Sequence, residues 1–87
     1  MVSKKVKITN PTGLHLRPAG LLCQEAIKFD SNIMFNFKNT SANAKSVLSV
    51  LGACVKCGDE IEFVCTGADE QKALDALVAL VESGLGE

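Results

Sequence analysis

The segment NPTGLHLRPAG, residues 10–20, carries the only histidine of the chain. His15 follows a turn and stands just ahead of Arg17 and Pro18. A proline here must lie in the first turn of a helix, where its missing N–H costs no hydrogen bond. If His15 is the N-cap, Pro18 is the third helical residue. The restriction a proline places on its predecessor argues instead that Arg17 is the cap. Both readings set His15 beside a helix N-terminus. Amides there lack an intrahelical acceptor, and the dipole puts roughly half a positive charge on that end. Such an end attracts anions, phosphate above all, and disfavours imidazolium. A neutral imidazole has a lone pair able to attack phosphorus, and the Arg17 guanidinium can pair with phosphoryl oxygens. Nucleophile, oxyanion cradle and permanent cation fall together, which suits formation of a phosphohistidine. The plain alternative is a solvated histidine beside an ordinary Pro-Thr-Gly turn.

Two further stretches hold reactive groups. Ser46 opens the apolar run VLSVLG and reads as its N-cap, with Gly52 as terminator. Val47, Leu48, Val50 and Leu51 cannot all face inward on so short a helix, so some stay exposed; scattered surface hydrophobes are common. Cys54-Val55-Lys56-Cys57 is a C-x-x-C. Structural zinc needs four ligands, and no second pair or nearby histidine completes a site. Redox C-x-x-C motifs usually open a helix, whereas this one follows one. Adventitious spacing is the reading that fits, with no metal and no cofactor.

The elements that must position these groups follow from periodicity. Residues 2–9 alternate Val6 and Ile8 with lysines and read as a strand. Asn10-Pro11-Thr12-Gly13 is a turn. Residues 16–29 switch to helical spacing, with Ala19, Leu22, Cys23 and Ala26 on one face; Gly20 weakens this helix by about 1 kcal/mol against alanine. Residues 31–37 place Ile33, Phe35 and Phe37 on one strand face. Lys38-Asn39 makes a hairpin turn into a short strand, TSANA. After Gly58-Asp59 comes a strong strand with Ile61, Phe63 and Cys65 inward. Asp69 and Glu70 then begin a helix whose dipole favours them; Leu74, Leu77, Val78 and Val81 form its stripe, and Gly84 ends it. The order β-α-β-β-α-β-α predicts an α+β fold: a two-layer open-faced sandwich, its four-stranded, mainly antiparallel sheet covered by helices.

Length and composition narrow the function classes. Eighty-seven residues make one domain, residues 1–87. A net charge of -1 with no basic run points to neither nucleic acid nor an acidic membrane. The N-terminus has no apolar h-region, and no stretch approaches the ~20 apolar residues of a membrane span. A cytoplasmic protein is expected, its four cysteines reduced, with Cys23 and Cys65 acting as small buried hydrophobes.

The motifs resemble those of HPr, the histidine-containing phosphocarrier family of the sugar phosphotransferase system. NPTGLHLRPAG resembles the phosphohistidine loop, AKSVLSVL the regulatory-serine segment, and GDEIEFVCTGADEQKALDAL the last strand and helix. The resemblance spans nearly the whole chain. It implies a carrier, not an enzyme in the strict sense. Enzyme I, charged by phosphoenolpyruvate, would phosphorylate His15 on Nδ1, and the group would pass to IIA domains of sugar permeases. Arg17 would steady the phosphate, with Thr12, Leu16 and Pro18 shaping its loop. Ser46 would be the target of an HPr kinase/phosphorylase, and the product would recruit a catabolite repressor. Leu16, Gly20, Val47, Leu48 and Leu51 would form the docking surface of a monomer. Leu16 stands where the family usually has alanine, and Gly20 where it has threonine or alanine; both bear on partner preference.

Rivals of other classes remain. Copper chaperones of like strand order carry C-x-x-C, but in the first loop, where this chain has His15 and Arg17. An acylphosphatase-like hydrolase could nominate Arg17 and Asn43, without the expected glycine-rich loop. Purely regulatory paralogues of the same family lack the reactive histidine.

Overall fold

A computed structural model describes residues 1–86. The chain runs β1 (Val2–Lys7), α1 (Leu16–Ile27), β2 (Asn32–Phe37), β3 (Thr40–Asn43), α2 (Val47–Gly52), β4 (Glu60–Thr66) and α3 (Glu70–Glu82). The order and the layering are those the periodicity predicts. The strands form one sheet in the order β1-β4-β2-β3, and each of its pairings is antiparallel.

Register follows from keeping one apolar face together, because a one-residue slip would turn every inward side chain to water. Val6 pairs with Ile61, Phe35 with Phe63 and Ile33 with Cys65. Phe35 and Phe63 meet edge to face with centroids 6.1 Å apart, the arrangement their quadrupoles favour. Against this face packs α3, over β1 and β4; α1 touches α2 and α3, and its Ala19, Leu22 and Ala26 belong to the same buried core. Their predicted stripes are all buried, including Cys23 and, in the sheet, Cys65. All four cysteines are free thiols. Burial pushes the Cys65 thiol above its ordinary pKa, with Glu70 and Asp69 adding to the effect.

Several boundaries differ from the sequence reading, each for a local reason. Strand β1 ends at Lys7 rather than Thr9, because Ile8 pairs with the turn that leads into β4: its N–H donates to Asp59 O at 2.8 Å and its carbonyl accepts from Gly58 N at 2.7 Å. Helix α1 stops at Ile27. The Lys28 and Phe29 amides bond the carbonyls three residues back, Glu25 and Ala26, which tightens and closes the last turn. Gly52 does not terminate α2 but belongs to it; the cap is Ala53, and the residue that turns left-handed is Cys54, with φ 57°. At Lys38 the hairpin turn takes φ 54°, with Phe37 and Thr40 paired across it.

Candidate phosphoryl site at the start of the first helix

His15 is the N-cap of α1, with extended backbone (φ -78°, ψ -175°), and Arg17 lies inside the helix. Of the two caps the sequence leaves open, the structure takes His15 and not Arg17. The proline effect on its predecessor is a preference. It is overridden because a helical Leu16 and Arg17 let Ala19 N donate to His15 O at 2.8 Å, the first helical hydrogen bond. Leu16 and Arg17 contribute the leading amides, and Pro18 contributes none. The His15 side chain makes no capping bond. Its ring and the Arg17 side chain are exposed, while Pro18 is buried. The imidazole is thus presented at an anion-favouring helix end, open to a large visitor.

The loop ahead of it is built against a distant segment. Gly13 has φ +65°, and a Cβ there would lie 2.6 Å from both Lys56 Cα and Val55 O. Only glycine meets both demands. Leu14 N donates to Val55 O at 3.0 Å. Asn10, 3% exposed, donates from Nδ2 to Gly13 O at 2.7 Å, and Gly13 N returns a bond to Asn10 O at 3.1 Å. Asn10 is a site residue that motif reasoning passed over. Its signal was present: it continues the inward phase of Val6 and Ile8, where a polar group must be bonded. Thr12 lies exposed on the same loop.

Ser46 caps α2, its Oγ accepting from Ser49 N at 3.2 Å. Ser49 Oγ in turn accepts from Asn43 N at 2.9 Å. Asn43 Oδ1 is engaged by Lys45 N at 2.9 Å, so the hydrolase rival finds that oxygen already bound. Of the α2 hydrophobes only Val50 is buried. Val47 and Leu51 are half-buried, while Leu48 is 82% and Leu16 64% exposed. These two leucines stand on helices that pack together. Gly20 has open space where a Cβ would be. Cys54 and Cys57 are exposed, and no cluster of three or more metal-ligating side chains occurs among the described residues. No helix among them is long and apolar enough to cross a membrane.

Residues 2–83 match the family model described as "PTS HPr component phosphorylation site". The phosphocarrier protein HPr of Treponema pallidum is 41% identical over 87 residues, covering 100% of this chain and 99% of that protein. The crystal structure of HPr-C-His from Thermoanaerobacter tengcongensis superposes with a TM-score of 0.97 at 41% identity, covering 100% of this chain and 98% of that one. Crh of Bacillus subtilis, described as a dimer with a swapped domain, matches with a TM-score of 0.78 at 38% identity over 95% of each chain. A relative of this similarity thus assembles as a dimer, where the sequence reading expects a monomer for this chain.

Proposed function

The chain belongs to the HPr family of phosphocarriers of the phosphotransferase system, and on that premise we propose that it works as one domain whose His15 takes up a phosphoryl group and gives it away. The observation that carries this reading is the exposed His15 at the cap of α1. Enzyme I charged by phosphoenolpyruvate is the donor, and IIA domains of sugar permeases are the acceptors. In the transfer the lone pair of imidazole Nδ1 attacks phosphorus in line, and the bond to the donor breaks. The leading amides of α1 and the Arg17 guanidinium meet the charge on the phosphoryl oxygens. Every group named lies in one copy of the chain, so a single copy suffices for the chemistry.

Leu16, Leu48 and the half-buried Val47 and Leu51 supply an apolar docking surface, with Gly20 leaving room beside it. Ser46 adds regulation through an HPr kinase/phosphorylase and a catabolite repressor. A phosphate there sits at the start of α2, where negative charge is tolerated, so its influence comes through surface charge, not unfolding. The setting is the cytoplasm.

Incubation with phosphoenolpyruvate and enzyme I tests the reading. One acid-labile phosphoryl group should be added, and none to His15→Ala. Acceptance by the His15→Ala protein, or an acid-stable adduct, would end it.

A further inference from the structure

The phosphocarrier reading leaves the C-x-x-C unused, yet that segment forms the wall against which the His15 loop is built. Val55 O holds the amide of Leu14 at 3.0 Å. Val55 and Lys56 are the backbone on which Gly13 rests. Cys57 Sγ contacts Thr9 O at 3.7 Å, and Gly58 N bonds Ile8 O at 2.7 Å. Both flanking thiols are free and exposed. Cys54 takes φ 57°, in the left-handed region that residues other than glycine seldom use.

We propose that Cys54 and Cys57 are a dithiol switch: a small disulfide of the glutathione type oxidises them to an intramolecular disulfide that loosens the His15 loop. The consequence for transfer rests on the proposed function; the bridge and the loosening do not. One cysteine thiolate attacks the oxidant's S–S bond, giving a mixed disulfide and releasing one small thiolate. The second cysteine thiolate attacks the protein-side sulfur of that mixed disulfide and releases the other. Two electrons pass to the oxidant, and the two cysteine protons end on the two released thiols.

The geometry gives the bridge its effect. The two sulfurs lie on different carbonyls, Cys54 Sγ 3.7 Å from Gly52 O and Cys57 Sγ 3.7 Å from Thr9 O. A disulfide holds the sulfurs in direct contact and its Cα atoms usually 4.4–6.8 Å apart. Forming the bridge removes both S–H donors, so neither sulfur can keep its hydrogen bond to Gly52 O or Thr9 O, and the new ring closes across Val55 and Lys56, the two residues between. Those two residues hold Leu14 and Gly13, so closing the ring releases the support directly ahead of His15.

The dilute reduced protein is treated with glutathione disulfide, and free thiols are alkylated before mass analysis. The expected product lacks two hydrogens and two alkylation sites, with Cys54 and Cys57 joined in one peptide. Leu14 amide exchange should then accelerate, and phosphoryl uptake should slow by about tenfold, the scale of one lost hydrogen bond. Dithiothreitol should restore both, and the Cys54→Ser/Cys57→Ser protein should respond to neither reagent. Glutathione adducts without the internal bridge, or a bridged protein with unchanged Leu14 exchange and uptake, would overturn the proposal. If the reduced protein takes no phosphoryl group at all, the carrier reading fails instead, and Leu14 exchange in the bridged protein still decides this one.

Discussion

Asp69 holds Ser31, 38 residues away in sequence, by two hydrogen bonds to one carboxylate oxygen, from the Ser31 amide at 2.9 Å and from its hydroxyl. The other oxygen accepts from Asp30 N at 2.9 Å. As N-cap of α3 this side chain makes no capping bond; it ties the helix start to the entry of β2. Gly67 closes the joint, since a Cβ there would meet Ser31 Oγ at 2.7 Å. The Ser31 hydroxyl first, then the Asp30 amide, hold the Asp69 carboxyl below its ordinary value of 3.8. A carboxyl whose pKa falls on folding stabilises the fold above its unfolded pKa and loses that contribution as pH drops through the folded one. Thermal unfolding should therefore show a loss of Tm below pH 3.8 that is smaller in Asp69→Asn. The variant's Tm should be lower than the parent's at neutral pH, with the gap narrowing in acid. Parallel curves would remove the joint from the acid response.

Gly13→Ala should destabilise by at least about 2 kcal/mol, because a left-handed backbone costs an L-residue about 1–2 kcal/mol before any clash is counted. Gly58→Ala is the matched control: φ is +93° but nothing lies within 4 Å of its Cβ. Urea denaturation of the two should separate conformational cost from the contact with Val55 and Lys56. Phosphoryl uptake should fall in the first and stay near the parent rate in the second.

Leu48→Asp should leave stability within about 0.5 kcal/mol, as befits an exposed position, while raising the enzyme I concentration needed for half-maximal uptake. Equal transfer kinetics in the folded variant would take Leu48 out of the docking surface.

Ser46→Ala should cost about 1 kcal/mol through loss of the cap on Ser49 N. Ser46→Asp keeps a cap acceptor, so it should retain stability while slowing uptake at His15. Uptake at the parent rate in the aspartate variant would count against regulation through surface charge.

The sheet, the inward face of its strands and both long helices were legible because each element buries one face of a regular pattern. His15 stood out because Pro18 marks a helix start from a single residue. The exact cap was not legible, since two opposing rules meet at Arg17 and only the His15 O to Ala19 N bond decides between them. Asp69 with Ser31, and Gly13 with Lys56, were invisible for a different reason: each joins residues far apart in the chain, and no local pattern encodes the partner. Cys54 as the left-handed residue was hidden behind Gly52, which composition favours for that role.

A histidine held at an uncovered helix corner brings no walls of its own. Water reaches it as freely as any protein does, so in the proposed transfer whatever shelters the migrating group would have to be furnished by the visitor. A carrier built this way would set few demands on the shape of those it meets, each recipient supplying its own hollow.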